Sequence, residues 1–446
     1  MNRRLAETII RYLSFSAENG ESGDSLGGFN DRQWEDTFRW LDNANVALYL
    51  LQKLRDTHDD GKLPPAVLSR LEQNYSDNRL RVDEMASAFA EVNERFRRFA
   101  VNYAVVKGFS LVPEFCPDAY LRQQSDFDYL VDEQSVPMAQ QALADLGFSL
   151  MKHRPTAGEW IFSKRPISHS FDSGEQYEGK GSYVIELHLA IWSPHAHGID
   201  IAGTQFSSSC TVDREWRGVH FRALPEEDAF LLQVLHTFQH LLYGDIRMVW
   251  LYEIAYCLHR RPNDTSFWQG VERRTEADAL LTHVVAIVTG LAAGFFQAPL
   301  PAIAQAWKAN LRPSVKVWME HYGWRVAFEK MPTYELAVFP ASKLVLFLHR
   351  QFLPDVKRRR DFTRRRLLPW TRPASIVRSS DEPSSRGLKL GGLLPEVSSQ
   401  FMFHRLLYHA GSGLRYLCEI PRWLWLNRSK AVREVPEIST RSMTKR

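Results

Sequence analysis

Ser125-Asp126-Phe127-Asp128-Tyr129-Leu130-Val131 is the stretch from which the rest of this chain is best read. Side chains on a strand alternate, so an extended segment here sets Asp126 and Asp128 on one face and Phe127, Tyr129 and Val131 on the other. The three apolar residues call for a buried layer beneath them. Two carboxylates so close on one face repel, and a divalent cation between them relieves the repulsion. Oxygen-only ligation of this kind suits Mg²⁺ or Mn²⁺. Such pairs form the core of two-metal phosphoryl and nucleotidyl transfer. Two surface aspartates on an edge strand would read the same way, so the pair needs support from elsewhere.

A second strand, Tyr183 to Ile191, supplies it. Tyr183, Ile185, Leu187 and Leu189 make one apolar face, and Glu186 and His188 share the other with Val184 and Ala190. A glutamate in so apolar a strand is costly unless it is paired or binds a metal. A structural ion pair with an arginine is the competing account. Upstream, Tyr103-Ala-Val-Val106 reads as a strand that ends at Lys107-Gly108 and opens a helix through Ser110. Glycine turns and helix N-termini offer free N–H groups to phosphate, and Lys107 adds a point charge. Arg122 is a further cation, able to grip a triphosphate or to pair with one of the aspartates.

Outward from this core the periodicity changes. Val82, Met85, Phe89, Val92, Phe96 and Phe99 lie three and four apart and make one helical stripe within a helical segment of residues 1–100. It contains one Gly- and Ser-rich loop, residues 17–31. Residues 101–221 read as a unit of strands and a helix; Ser135 caps that helix, Pro137 sits in its first turn and Gly147 closes it. A polar stretch, 153–181, precedes the Glu186 strand. Residues 222–350 are helical again, starting at Leu224-Pro-Glu-Glu-Asp228. In residues 351–446 a basic run from Lys357 to Arg366 leads into a Ser/Pro/Gly-rich linker to about 396, then an amphipathic portion from Phe401 to Leu426.

The 446 residues are 44% hydrophobic and 24% charged, the composition of a globular chain with two or three cores. A net charge of +4 does not identify a nucleic-acid binder. Cys116, Cys210, Cys257 and Cys418 show neither metal-ligand spacing nor a disulfide framework, which points to a reducing, cytoplasmic compartment. The N-terminus lacks the pattern of a signal peptide. Ala279 to Phe296 approaches membrane-spanning length, but His283, two threonines and two glycines mark it as a buried helix.

The order Lys107-Gly108, Arg122, Asp126-x-Asp128-x-Leu130-Val131, Leu146-Gly147-Phe148 and Glu186-Leu187-His188 resembles the uncharacterised bacterial nucleotidyltransferase family of the DNA polymerase-β-like superfamily, over roughly residues 40–350. Lys-Gly stands where the wider superfamily has Gly-Ser, and Glu253, in Trp250-Leu-Tyr-Glu253, stands for the family's acid after a Trp-containing helix. The resemblance implies an α+β fold, a mixed-sheet nucleotidyltransferase core flanked by N- and C-terminal helical domains. It implies Mg²⁺ (or Mn²⁺) on Asp126, Asp128 and Glu186, with Lys107, Gly108, Ser110, Arg122 and His188 at the nucleotide. An NMP would pass from an NTP to an unknown acceptor hydroxyl, on a small molecule, glycan, peptide or protein.

Other signals carry less. His236 and His240 share a helix face without a third zinc ligand, and they and Arg247 are candidates for lining a nucleotide cleft. The basic run could meet RNA, anionic lipid or an acidic protein, and the aromatic tail a membrane surface. A catalytically idle fold acting as a nucleotide- or partner-binding module is the alternative to an active enzyme; transfer to tRNA rests on the basic tail alone. If the acids only repel, Asp128→Asn should leave the metal-free protein as stable as the wild type or slightly more so.

Overall fold

In the computed structural model, the long helix preceding the sheet shows how the apolar stripe is used. The structure describes residues 1–16, 26–164, 175–177, 183–328, 342–367 and 399–433. In chain order come α1 (Arg3–Tyr12), α2 (Asp31–Asn43), α3 (Ala47–Asp56) and α4 (Pro65–Arg98). Proline at the start of α4 lacks only an N–H that the first turn could not use. Val82, Met85, Phe89, Val92 and Phe96 are all buried, and Phe99 packs at the edge of the same cluster.

Seven strands follow: β1 (Tyr103–Val106), β2 (Asp126–Val131), β3 (Ser149–Arg154), β4 (Glu159–Ser163), β5 (Val184–His188), β6 (Val212–Trp216) and β7 (Val219–Ala223). They form one mixed sheet in the order β3-β4-β5-β2-β1-β7-β6. The two acid-bearing strands are neighbours. β2 and β5 run parallel, with Asp126, Asp128 and Leu130 opposite Val184, Glu186 and His188. β1 lies antiparallel on the other side of β2, Val106 opposite Asp128.

The period of two sorts the faces as expected. Phe127, Tyr129, Val131, Ile185 and Leu187 pack with α4 and with α5 (Val136–Asp145). The opposite face is thinner: Ala104, Val106 and Leu130 meet Leu224 and Leu232. Leu232 belongs to α7 (Glu226–Tyr243), which follows the short α6 (Pro194–His197). Asp126, Asp128, Glu186 and His188 therefore emerge on the side that α7 covers only in part.

The helical remainder comprises α8 (Met248–Arg260), α9 (Thr265–Thr275), α10 (Ala279–Phe296), α11 (Ala302–Ala309), α12 (Pro313–His321), α13 (Gly323–Ala327), α14 (Val345–Phe352), α15 (Val356–Leu367) and α16 (Ser399–Arg433). The apolar side chains of α1–α3 share one buried cluster with those of α7–α10 and α14. α10 is the one described helix long and apolar enough to cross a membrane, and two thirds of its residues are buried. It packs against α7, α8 and α11, as a core helix does.

Several local expectations are corrected. Gly108 opens a short 3-10 turn, Gly108–Leu111, and not a longer helix. Ser135 stands at the N-cap of α5 but its side chain makes no capping bond: the Asp132 carboxylate accepts from Ser135 N at 2.7 Å, and Ser135 Oγ accepts from Asn102 N at 3.1 Å. The strand read to Ile191 ends at His188. The hairpins β3–β4 and β6–β7 lie where polar sequence concealed them, and the basic run is helical, as α15, with Asp355 Oδ1 accepting from Arg358 N at 2.7 Å. Most of the Gly/Ser loop (17–25), much of the polar stretch (165–174 and 178–182) and the Ser/Pro/Gly-rich segment (368–398) lie outside the described residues.

Candidate active site

Register brings the acids together. Asp128 and Glu186 are paired across β2 and β5, and with His188 they form a group whose ligand atoms all lie within 4.8 Å of one another. Asp126 shares the face but stands outside that tight group, two residue pairs further along the strands. Its electrostatic neighbours are Asp128, Lys107, Arg122 and Arg247.

The charges around Asp128 are not merely repulsive. Lys107 Nζ donates to Asp128 Oδ1 at 2.9 Å, and His188 Nε2 lies 2.8 Å from the same oxygen. An ionised carboxylate only accepts, so Nε2 carries the proton in this arrangement. Burial works to raise the Asp128 carboxyl, yet Lys107 and His188 outweigh it and hold it well below the ordinary carboxylate range. Lys107 in turn is raised: burial opposes its charge, and Asp128, Asp126 and Glu186 together prevail.

Asp126 and Glu186 behave oppositely. Burial first, and the neighbouring carboxylates second, push both upward, Glu186 well above its usual range. Glu186 meets a basic group at His188 Nε2, 3.6 Å away, and among the described residues neither acid accepts a side-chain hydrogen bond. Buried carboxylates left in this state would fit a hard divalent cation, and Asp126, Asp128 and Glu186 are the residues that would hold it.

These shifts correct the stability expectation. Asp128 is the charge-paired member, and removing it strands the Lys107 ammonium. Relief belongs instead to Glu186. A raised carboxyl contributes stability that is fully present below its unfolded value near 4.5 and is lost as pH rises through the folded value. Glu186→Gln is therefore expected to raise the unfolding free energy of metal-free protein at pH 8, read from urea denaturation, by on the order of 1 kcal/mol. The gain should fade toward pH 4. An equal gain at both pH values would show that charge is not its cause.

Lys107 is held in a strained backbone. Its φ is 60° and ψ −162°, a region nearly restricted to glycine, and Gly108 follows at φ 52°. The turn is tied by Ser110, whose N and Oγ both donate to Lys107 O, at 3.0 and 2.7 Å. Ser110 thus shapes the turn, and its hydroxyl is already in use. At Gly108 a Cβ would lie 3.1 Å from Gln124 Oε1. Strain of this kind persists only where surrounding contacts over-determine it, and here it delivers the ammonium to Asp128.

Arg122 does not pair with the aspartates. Its Nε donates to Glu253 Oε1 at 2.8 Å and its Nη1 to Gln124 Oε1 at 3.4 Å, in a buried setting. The other Glu253 oxygen accepts from Gln233 Nε2 at 2.6 Å. Burial pushes the Glu253 carboxyl up, against the Arg122 charge. This network joins the loop before β2 to α7 and α8, and the Arg122 charge is felt at Asp126.

The α7–α8 wall carries the remaining polar groups. Arg247 forms no ion pair among the described residues; it lies over the Trp250 ring at 5.5 Å and feels Asp245 and Asp126. His236 meets Trp250 and His240 edge-on, at 4.9 and 4.6 Å, and its buried Nδ1 has no hydrogen-bond partner among the described residues. Burial, then Lys107, holds its imidazole well below its ordinary range, hence neutral. His240 Nδ1 lies 3.1 Å from Asp245 Oδ1. Among the described residues the two histidines do not belong to a three-ligand metal group.

A family model described as an uncharacterised nucleotidyltransferase matches residues 30–297, more than half of the chain, and the protein belongs to that family. The comparison with curated proteins returns no match.

Proposed function

We propose that the protein transfers a nucleoside monophosphate from an NTP to an acceptor hydroxyl and releases pyrophosphate, with the polymerase-β-like arrangement of acids that the sequence suggests. The observation that carries this reading is the in-register pair Asp128 and Glu186 on parallel neighbouring strands, with Asp126 on the same face. Mg²⁺ or Mn²⁺ held by Asp126, Asp128 and Glu186 would supply charge neutralisation at the reacting phosphate. The chain's own groups do the rest. Lys107, aimed by its strained turn, meets the negative charge of the leaving pyrophosphate. His188 orients Asp128 through the Nε2 contact. Arg122, held by Glu253, ties the loop before β2 to α7 and α8 and lends its charge to the Asp126 side of the site. Supply of NTP and reduced cysteines fit a cytoplasmic site of action; all four cysteines are free thiols.

Arg247 is the cation best placed to meet a triphosphate, since among the described residues no acid holds it in a salt bridge. Loss of one charge-assisted contact, about 1.5–3 kcal/mol, corresponds to roughly ten- to a hundredfold in affinity. Arg247→Ala is accordingly expected to raise KM for the NTP by about tenfold or more with a smaller fall in kcat. A fall in kcat alone would remove Arg247 from ground-state binding.

One observation favours the idle-fold reading: Asp128 Oδ1 already has two internal partners, as a structural ion pair would. Pyrophosphate release separates the two. Purified protein is supplied with each of the four NTPs, with Mg²⁺ or Mn²⁺, and with cell extract as a source of acceptor. Metal-dependent release that Asp128→Asn abolishes is expected. NTP binding with no release from any NTP would establish the binding module instead.

A further inference from the structure

The outer face of α16 is apolar in a way that nothing at the nucleotide site requires. Leu407, Leu414, Leu417 and Leu424 follow one another at intervals of seven, three and seven residues and so share one side of the helix, with Trp425 beside them. Each is between 51% and 65% exposed. Half of the large apolar side chains that are exposed among the described residues sit on this one helix. The opposite side is already satisfied: Tyr416 and Trp423 are buried and stack on Phe347 of α14, at 4.5 and 4.8 Å between ring centroids. α16 thus has an inner apolar face that packs and an outer one that faces solvent.

Cations border the outer face. α15 packs along α16 and exposes Lys357, Arg360, Arg364 and Arg365. On α16 itself Arg422 and Arg428 are exposed beside Leu424 and Trp425. A helix with leucine and tryptophan on one side and basic residues at its margins is built to lie in the plane of an interface.

We propose that the α15–α16 surface rests on a bilayer containing anionic lipid, with the leucines and Trp425 at the boundary of headgroups and acyl chains and the cations against lipid phosphate. The choice of partner follows from the two features together. RNA would use the cations and leave the leucines in water. A second copy of the chain, meeting this face through a two-fold axis, would cover the leucines but bring like charges together. An anionic bilayer satisfies both. The inference does not depend on the nucleotidyl-transfer reading.

The test is co-sedimentation of the full-length protein with phosphatidylcholine vesicles, with and without phosphatidylglycerol. Binding is expected to the anionic vesicles and to weaken with salt, each cation near the surface contributing roughly fivefold. Leu414→Glu combined with Leu424→Glu should lower partitioning by about tenfold or more, with an unchanged melting curve, since both side chains are exposed. Should that variant fail to fold, Arg364→Glu with Arg365→Glu, on the exposed side of α15, is expected to lower binding comparably. Absence of binding to anionic vesicles overturns the proposal. So does vesicle binding that neither variant weakens, retention of RNA in place of vesicles, or a dimer that requires the same leucines.

Discussion

Asp128→Asn is expected to slow nucleotidyl transfer by at least about a thousandfold, the consequence of losing on the order of 4 kcal/mol of transition-state stabilisation at a metal-linked carboxylate. Asp128 is the residue all the others converge on: it faces Glu186 across the strand pair, and Lys107 and His188 both contact its Oδ1. An asparagine keeps the shape and can still accept one hydrogen bond, but it neutralises the charge that holds Lys107 in its strained turn. Breaking a buried pair by removing one partner costs about 3–5 kcal/mol, so metal-free Asp128→Asn should also unfold at lower urea. Activity and stability fall together in this variant. In Glu186→Gln they part: transfer is lost while the metal-free protein gains stability at pH 8. A wild-type rate in Asp128→Asn would remove the acids from the chemistry.

Glu253→Ala should cost stability on the order of 3–5 kcal/mol. Glu253 is fully buried, and its two oxygens accept from Arg122 and Gln233. Deleting the carboxylate leaves the Arg122 guanidinium buried without its counter-charge, at a position 131 residues away in sequence. Glu253→Gln retains one acceptor and should lose less. Urea denaturation of both variants decides it; a loss in Glu253→Ala below about 1 kcal/mol would mean that water or another acid takes the place of Glu253. The arginine that the sequence offered as a grip on triphosphate is, in the folded chain, held by Glu253 and Gln124.

The difference between those two readings of Arg122 shows where sequence stops being informative. Alternation in 125–131 and in 183–189 is local, and it was enough to put Asp126 with Asp128 and Glu186 with His188 on polar faces. That β2 and β5 are neighbours, with Asp128 opposite Glu186, is a matter of sheet order, and the resemblance to a known family supplied it where the residues could not. No local pattern connects Arg122 to Glu253. The pairing of Lys107 with Asp128 was missed for the same reason, and with it the sign of the stability change in Asp128→Asn. Two hairpins escaped because they lie at the sheet's edges, where both faces tolerate charge. A signal was available in the second: Arg217-Gly218, both at positive φ (51° and 78°), is a two-residue turn between runs of alternating character. The basic run Lys357 to Arg366 shows no apolar period that would announce α15, although Asp355 three residues before Arg358 is an ordinary helix start.

The central claim is that the β2–β5 acids form a divalent-cation site through which the protein holds an NTP, and calorimetric titration tests it without an acceptor. A non-hydrolysable NTP analogue is titrated into wild type and Asp128→Asn, with Mg²⁺ and with EDTA. The account predicts binding to the wild type that requires Mg²⁺ and is lost or weakened by at least about a hundredfold in the variant. Binding of equal strength with Mg²⁺ and with EDTA, or equal binding by the two proteins, would contradict it.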